Sequence, residues 1–384
     1  MGYTCEPAAR EVAKFLGFTC DGANPVVTLR SPFSLENWTL PVLELLIVGG
    51  AVFALVHAWR RWRRDGDPVN ISLAFASLVY LAVIEPPLYF PEWFNLEKYV
   101  GFIFSHNVFT VQFMFDRLPL YIVAFYVVIT QLTYELIRAL GVFQRRGPAV
   151  GAIATAFACQ VFYETFDQLG PQLKWWAWNP DNDVNKPMFA SVPMNSMWVF
   201  ASVSFGVMTW LVVRFVGDKV GRDRLSGWQV SWRTVLAGVL TPVLMVIGAA
   251  PTRVDVGAGD DYSLQKTLVI VLLALLWLVG GALLVEATKL NWHGSPQAME
   301  SPAFVRIYPA LYLGIHAILW LTALPAFLAA IDGVTDTGAP IGSGWYALAC
   351  MLVSTWFVVA AIRASAWRSG AASPRTCMTT WVRS

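Results

Sequence analysis

The sequence predicts an all-α polytopic membrane bundle of about nine transmembrane helices, its amino terminus outside and its carboxyl terminus inside. Three observations carry that reading. Of 384 residues, 57% are hydrophobic and only 14% charged, against about 25% charged in soluble globular domains. Nine apolar runs reach about 20 residues, the length at which a helix crosses the hydrocarbon core while satisfying its own backbone hydrogen bonds. The basic residues gather at alternate ends of those runs, and Lys and Arg near helix ends resist transfer to the outer side.

Residues 1–38 form an outer segment ahead of the first run. Glu6, Arg10, Glu11 and Lys14 interrupt any apolar core, so the segment does not read as a signal peptide. Pro7 to Leu16 is expected as a short amphipathic helix lying at the outer surface, with Val12, Phe15 and Leu16 toward membrane or protein. Cys5 and Cys20 share this segment, where a disulfide would suit an oxidising compartment; two unpaired thiols are the alternative.

A single transmembrane domain, 39–367, follows. Its runs are Thr39 to Trp59, Ile71 to Phe90, Leu118 to Ala139, Val150 to Leu169, Phe189 to Val216, Thr234 to Ala250, Thr267 to Ala287, Ile307 to Ile331 and Trp345 to Trp367. The apolar segment Val100 to Phe115 is too short to span and reads as re-entrant or interfacial. With this alternation Arg60, Arg61, Arg63, Arg64, Arg138, Arg145 and Arg146 fall inside, as do Arg214, Arg233, Lys289, Arg306 and the tail 368–384. The expected location is therefore the plasma (inner) membrane.

The net charge of +2 follows from this asymmetry, and no interleaved basic and aromatic surface points to nucleic acid. The glycine pairs Gly49-Gly50 and Gly280-Gly281 lie inside runs, where small residues permit close helix packing rather than cradle phosphate. His57, His106, His293 and His316 have no ligand spacing between them, so a mononuclear metal site could arise only by convergence in space; no metal and no other cofactor is expected.

A helix, long loop, helix unit recurs. Glu85 ends one run, Pro91 and Trp93 follow, and Arg117-Leu118-Pro119 opens the next; Glu164 is followed by Pro171, Trp175 and Trp176, and Val192-Pro193 opens the next. Both units run in the same direction, as in a parallel internal repeat.

Ionisable residues inside a span are costly and by default suggest function. Glu44, Glu85, Glu164 and Asp167 fall in outer halves of their helices, with Arg117, Tyr163 and Asn195 at similar depth. Glu135 and Glu286 lie near inner ends and read as snorkelling or packing residues, and Glu44 as interfacial. In "FYETFDQLGPQLKWWAWN" Glu164 and Asp167, with Gln160 one turn ahead of Glu164, are spaced to share a helix face, a plausible pocket wall. Trp93, Trp175, Trp176 and Trp178 could cap such a pocket, or simply form an aromatic belt. His106, in "FSHNVF", is a further candidate lining residue, whereas the lone His316 reads as a satisfied core histidine.

The run from Glu164 through "LGPQL" and "VP" to Trp198 resembles the integral-membrane carotenoid hydratases, distant relatives of the membrane-bound lycopene cyclases. The resemblance implies a bundle that binds a long polyene and protonates an isoprenoid double bond, with Glu164 as the buried acid. Such chemistry needs a carboxyl kept neutral until use and aromatic faces for the cation. Glu164, Asp167 and Glu85 are the catalytic candidates; Tyr163, Phe166, Trp175, Trp198, Asn195, His106 and Arg117 are candidates to bind the lipid or polyene. The competing reading is a non-enzymatic membrane protein: a transporter of lipids or small molecules, or a subunit joined to other membrane proteins or to a second copy of itself.

Overall fold

A computed structural model describes residues 4–217, 225–253, 261–292 and 302–371. Among them, nine helices are long and apolar enough to cross a membrane. Seven are α2 (Thr39–Asp65), α3 (Val69–Tyr89), α4 (Leu120–Ala139), α5 (Val142–Asp167), α7 (Gly227–Ala249), α8 (Ser263–Trp292) and α9 (Ala303–Leu328). The others are α10 (Gly344–Ala371) and a composite span whose π-helical first half, Ser196–Ser204, continues as α6 (Phe205–Phe215). The chain is a multi-pass helical membrane protein. The expected tail beyond Ala371, with Cys377, lies outside the described residues, as does His293.

Burial ranks the spans. The apolar windows of α4 and α5 are 83% and 78% buried and that of the composite span 72%, against 28% for α8 and α9. The first group is the hub and the second the lipid-facing rim, since apolar side chains need no protein cover in a bilayer. Close approach relies on glycine where helices touch. A Cβ on Gly238 of α7 would come within 2.6 Å of Val79 and 2.8 Å of the Ala76 carbonyl on α3.

Helix ends follow local chemistry. Gly147 leaves the helical region (φ 78°, ψ 177°), so α5 has a short arm before Pro148 opens its spanning part. In α3 the pair Pro86-Pro87 removes two backbone donors immediately after Glu85, loosening the turn that carries it.

The loops at one end of the bundle build a cap. α1 (Pro7–Leu16) forms where expected, with its apolar face on protein: Ala9, Val12, Ala13 and Leu16 pack with Phe102 and Ala177. Cys5 and Cys20 are joined in a disulfide. The segment Val100 to Phe115, expected as re-entrant or interfacial, instead carries β2 (Phe104–His106) and β3 (Val111–Phe113). β3 lies between β1 (Val27–Leu29) and β4 (Leu118–Pro119), while β2 pairs antiparallel with β5 (Trp176–Trp178). The run Phe189 to Val216 is likewise not one helix. It starts with the hairpin β6 (Met188–Phe189) and β7 (Val192–Pro193), and the span begins at Ser196. Each of the two repeat-like units thus ends in a two-residue strand closed by proline before its next span.

Three acidic residues of the spans have specific partners outside the cavity. Glu44, near the cap end of α2, is buried and accepts from the backbone N–H groups of Thr110 and Val111 and from the Thr110 hydroxyl, tying β3 to α2. Glu135 is a packing residue, one of its two expected roles. It is fully buried, paired with Arg138 at 2.6 Å, and accepts from Asn70 at 2.8 Å, with His57 Nε2 at 3.4 Å. Glu286 reaches outward to Arg146 at 2.9 Å.

Candidate functional site

Beneath the cap is a cavity of about 430 Å³, lined mainly by apolar and aromatic side chains. Its walls come from α3 (Ile84, Glu85, Leu88), α4 (Ile122, Phe125, Tyr126), α5 (Tyr163, Phe166, Asp167), the π-helical turn (Ser196, Val199, Phe200) and α7 (Met245, Val246, Ala249). The two-residue period of a strand explains its ceiling. In the β2–β5 pair Phe104 lies opposite Trp178 and His106 opposite Trp176, and all four line the cavity. The intervening Ala177 turns the other way, toward α1.

The carboxyls separate into cavity and core. Asp167, 2% exposed, lines the cavity and, among the described residues, accepts one long hydrogen bond, 3.3 Å from Ser196 Oγ. Glu85 also lines it, held by the Tyr126 hydroxyl, while its Oε2 is buried without a well-formed hydrogen bond beside Tyr89. Tyr163 lies within electrostatic reach of both acids.

Glu164 is placed elsewhere. It is fully buried among core residues, not on the cavity wall. Its Oε2 accepts from Gln168 Nε2 at 2.9 Å and its Oε1 has no hydrogen bond among the described residues. Gln168 in turn accepts from the Ser343 N–H at 2.8 Å, and Gln160 links to Tyr346 and Trp277, so this side of α5 belongs to the seam with α8 and α10.

The other candidates divide in the same way. Tyr163, Phe166, Asn195 and His106 line the cavity; Trp175, Trp198 and Arg117 do not. Trp175 is a core residue whose indole N–H donates to Thr39 Oγ1 at 2.9 Å, and that of Trp198 donates to the Gly248 carbonyl at 3.0 Å. Arg117 stacks over Phe102, 5.4 Å from its centroid, and its charge offsets the upward pull of burial on the Glu6 carboxyl. His106 pairs with the Tyr121 hydroxyl at 3.0 Å, and burial pulls its pKa down to about 3, so it is neutral at ordinary pH. His316 is buried in the core, with Nδ1 2.8 Å from the Tyr312 carbonyl oxygen.

Sequence reasoning missed Tyr126, Ser196, Phe104 and the π-helical turn, all of which shape the cavity. Only the unusual density of Ser and aromatic residues in "NSMWVFASVSF" signalled the last. π-helical turns are rare and recur at functional sites.

Among the described residues, the group close enough to share a metal ion is Cys5, Cys20 and Asp21, and there the cysteines are already bonded to each other. The cavity can instead hold an apolar ligand, present one lightly held carboxyl to it, and surround developing positive charge with aromatic faces. No family model, curated protein or solved structure matches this chain.

Proposed function

We propose that the chain is an enzyme of the plasma (inner) membrane that protonates an alkene of an isoprenoid, a carotenoid or a comparable unsaturated lipid, with Asp167 as the acid. One observation carries this reading: Asp167 and Glu85 both line an apolar, aromatic-walled cavity within the membrane bundle. An ionisable pair there is expensive unless it serves the ligand. The likeness of Glu164 to Trp198 to the carotenoid hydratases supports the same chemistry, moved one helical turn along α5 from Glu164 to Asp167. The Cys5–Cys20 bond supports an oxidising compartment at the cap end.

In hydration, the Asp167 O–H bond breaks as the alkene π pair forms a new C–H bond, leaving a tertiary cation and a carboxylate. Phe166, Phe125 and Tyr163 line the cavity around that cation, and the Glu85 carboxyl, oriented by Tyr126, opposes its charge. A water oxygen then adds, and its surplus proton returns to Asp167, so the net change is addition of water. If an internal alkene captures the cation instead, proton loss to the same carboxylate gives a ring without net water.

The test supplies an acyclic polyene in vesicles made in isotopically labelled water, with product mass read by mass spectrometry. Asp167→Asn should lower turnover by about 10²–10⁴-fold, the usual contribution of a general acid. Glu164→Gln, away from the cavity, should lower it less. Undiminished product from Asp167→Asn sinks the proposal, and Asp167-dependent flux without product would favour the transporter.

A further inference from the structure

The cavity wall is thin where α3 meets α7. These helices touch where Gly238 meets Ala76 and Val79, and just beyond, Tyr80 donates its hydroxyl to Met245 Sδ at 2.9 Å. Toward the cap both helices face the cavity. Ile84 and Leu88 on α3 and Val246 and Ala249 on α7 are cavity-lining residues. Val246 stands eight residues beyond Gly238, about 12 Å along the helix axis. It lines the cavity yet is 64% exposed, beside Ile247 at 64% and Val243 at 53% on the lipid-facing side of α7. One side chain therefore belongs both to the cavity and to the lipid-facing surface, so at this point the wall between the two spaces is a single residue thick.

We infer that the cavity opens sideways into the bilayer between α3 and α7, near the cap end, and admits the hydrocarbon end of a long membrane-dissolved chain. This rests on the reading of the cavity as a lipid-binding site. Three features fit end-on entry. The flanks of the opening, Ile84, Leu88, Val246 and Ala249, are all aliphatic, so a chain passes without desolvating a polar group. The Tyr80–Met245 contact closes the gap at its deep end. The volume of about 430 Å³ is near the small end of ligand pockets. It therefore suits the terminal part of a long chain, with the remainder left in lipid.

The experiment uses the full chain in phosphatidylcholine vesicles with a long prenyl chain carrying a diazirine at its hydrocarbon end. After irradiation, adducts are mapped by peptide mass spectrometry. Wild type should be labelled at cavity residues such as Tyr163 and Phe166. Val246→Trp should reduce that labelling about tenfold, the effect of a 1.4 kcal/mol loss in binding. Ile84→Trp, from the facing helix, should act alike. Val243→Trp adds the same bulk one turn deeper, off the cavity lining, and should label as wild type, which separates blockage from misfolding. Cavity labelling that ignores both Val246→Trp and Ile84→Trp overturns the portal, as does labelling restricted to the lipid-facing rim. Labelling reads entry rather than turnover. A chain that labels through the portal but is never converted therefore upholds the portal and defeats the proposed chemistry. A chain that is converted while labelling ignores both blocking variants does the reverse.

Discussion

Replacing Gly170 with alanine should unsettle the cavity ceiling although the residue itself lies outside it. Gly170 follows the end of α5, and its Cα hydrogen faces the edge of Trp176. A Cβ added there would lie 2.0, 2.2 and 2.5 Å from three atoms of the indole ring. Carbon atoms pack at about 3.5–4.0 Å, so the ring must retreat by about 1.5 Å. Neighbouring rings restrict that movement, leaving the cavity side open. Trp176 is 3% exposed, with the Phe166 ring 4.8 Å away between centroids and His106 opposite it across the β2–β5 pair. Overpacking of this kind costs about 1–3 kcal/mol. The assay is thermal unfolding in detergent micelles, with Gly281→Ala as control. At Gly281 an added Cβ would meet nothing within 4 Å, and alanine should stabilise the helix by about 0.5–1 kcal/mol. The expected result is a lower melting temperature for Gly170→Ala and an equal or higher one for Gly281→Ala. If Gly170→Ala melts with or above wild type, the close contact between this backbone and the ceiling is refuted.

Other expectations concern the cap and the buried pair. The pKa of His106 falls from 6.5 to about 3 on burial, so its stabilising contribution is complete above pH 6.5 and is lost as pH falls toward 3. Denaturation in detergent should show a slope of up to about 1.4 kcal/mol per pH unit in that window, reduced in His106→Gln. Cys5→Ser opens a link spanning 15 residues, which should weaken the cap by about 3 kcal/mol; faster hydrogen exchange in α1 is the readout, and unchanged exchange counts against a structural role for the bond. Glu135→Gln strips the buried Arg138 of its counter-charge and should cost about 3–5 kcal/mol, whereas a loss near zero would mean that Arg138 finds water.

Several elements were legible because their signal is local. The run Leu118 to Ala139 became α4 within two residues at its start, and Pro7 to Leu16 became α1 without change. Others were not. Val100 to Phe115 reads as apolar, but its strands exist only because Val27–Leu29 and Trp176–Trp178 arrive as partners from distant parts of the chain. Two- and three-residue strands are too short to show a period. The break at Ser196, where a hairpin gives way to a π-helical turn, likewise has no periodic trace.

The site shows the same division. Glu164 and Asp167 share a face in the sense that three residues of helix leave them about 60° apart. That angle is wide enough for a packing seam to pass between them: Asp167 meets the cavity and Glu164 the contacts made by Gln168 with Ser343.

By itself, the sequence determined that this is a multi-pass helical membrane protein and which carboxyls lie within its spans, because the free energy of moving a helix into lipid sums over its own residues. Only the tertiary structure decided which of those carboxyls meets open space, because a cavity is the volume that several separately encoded helices and two paired loops fail to fill.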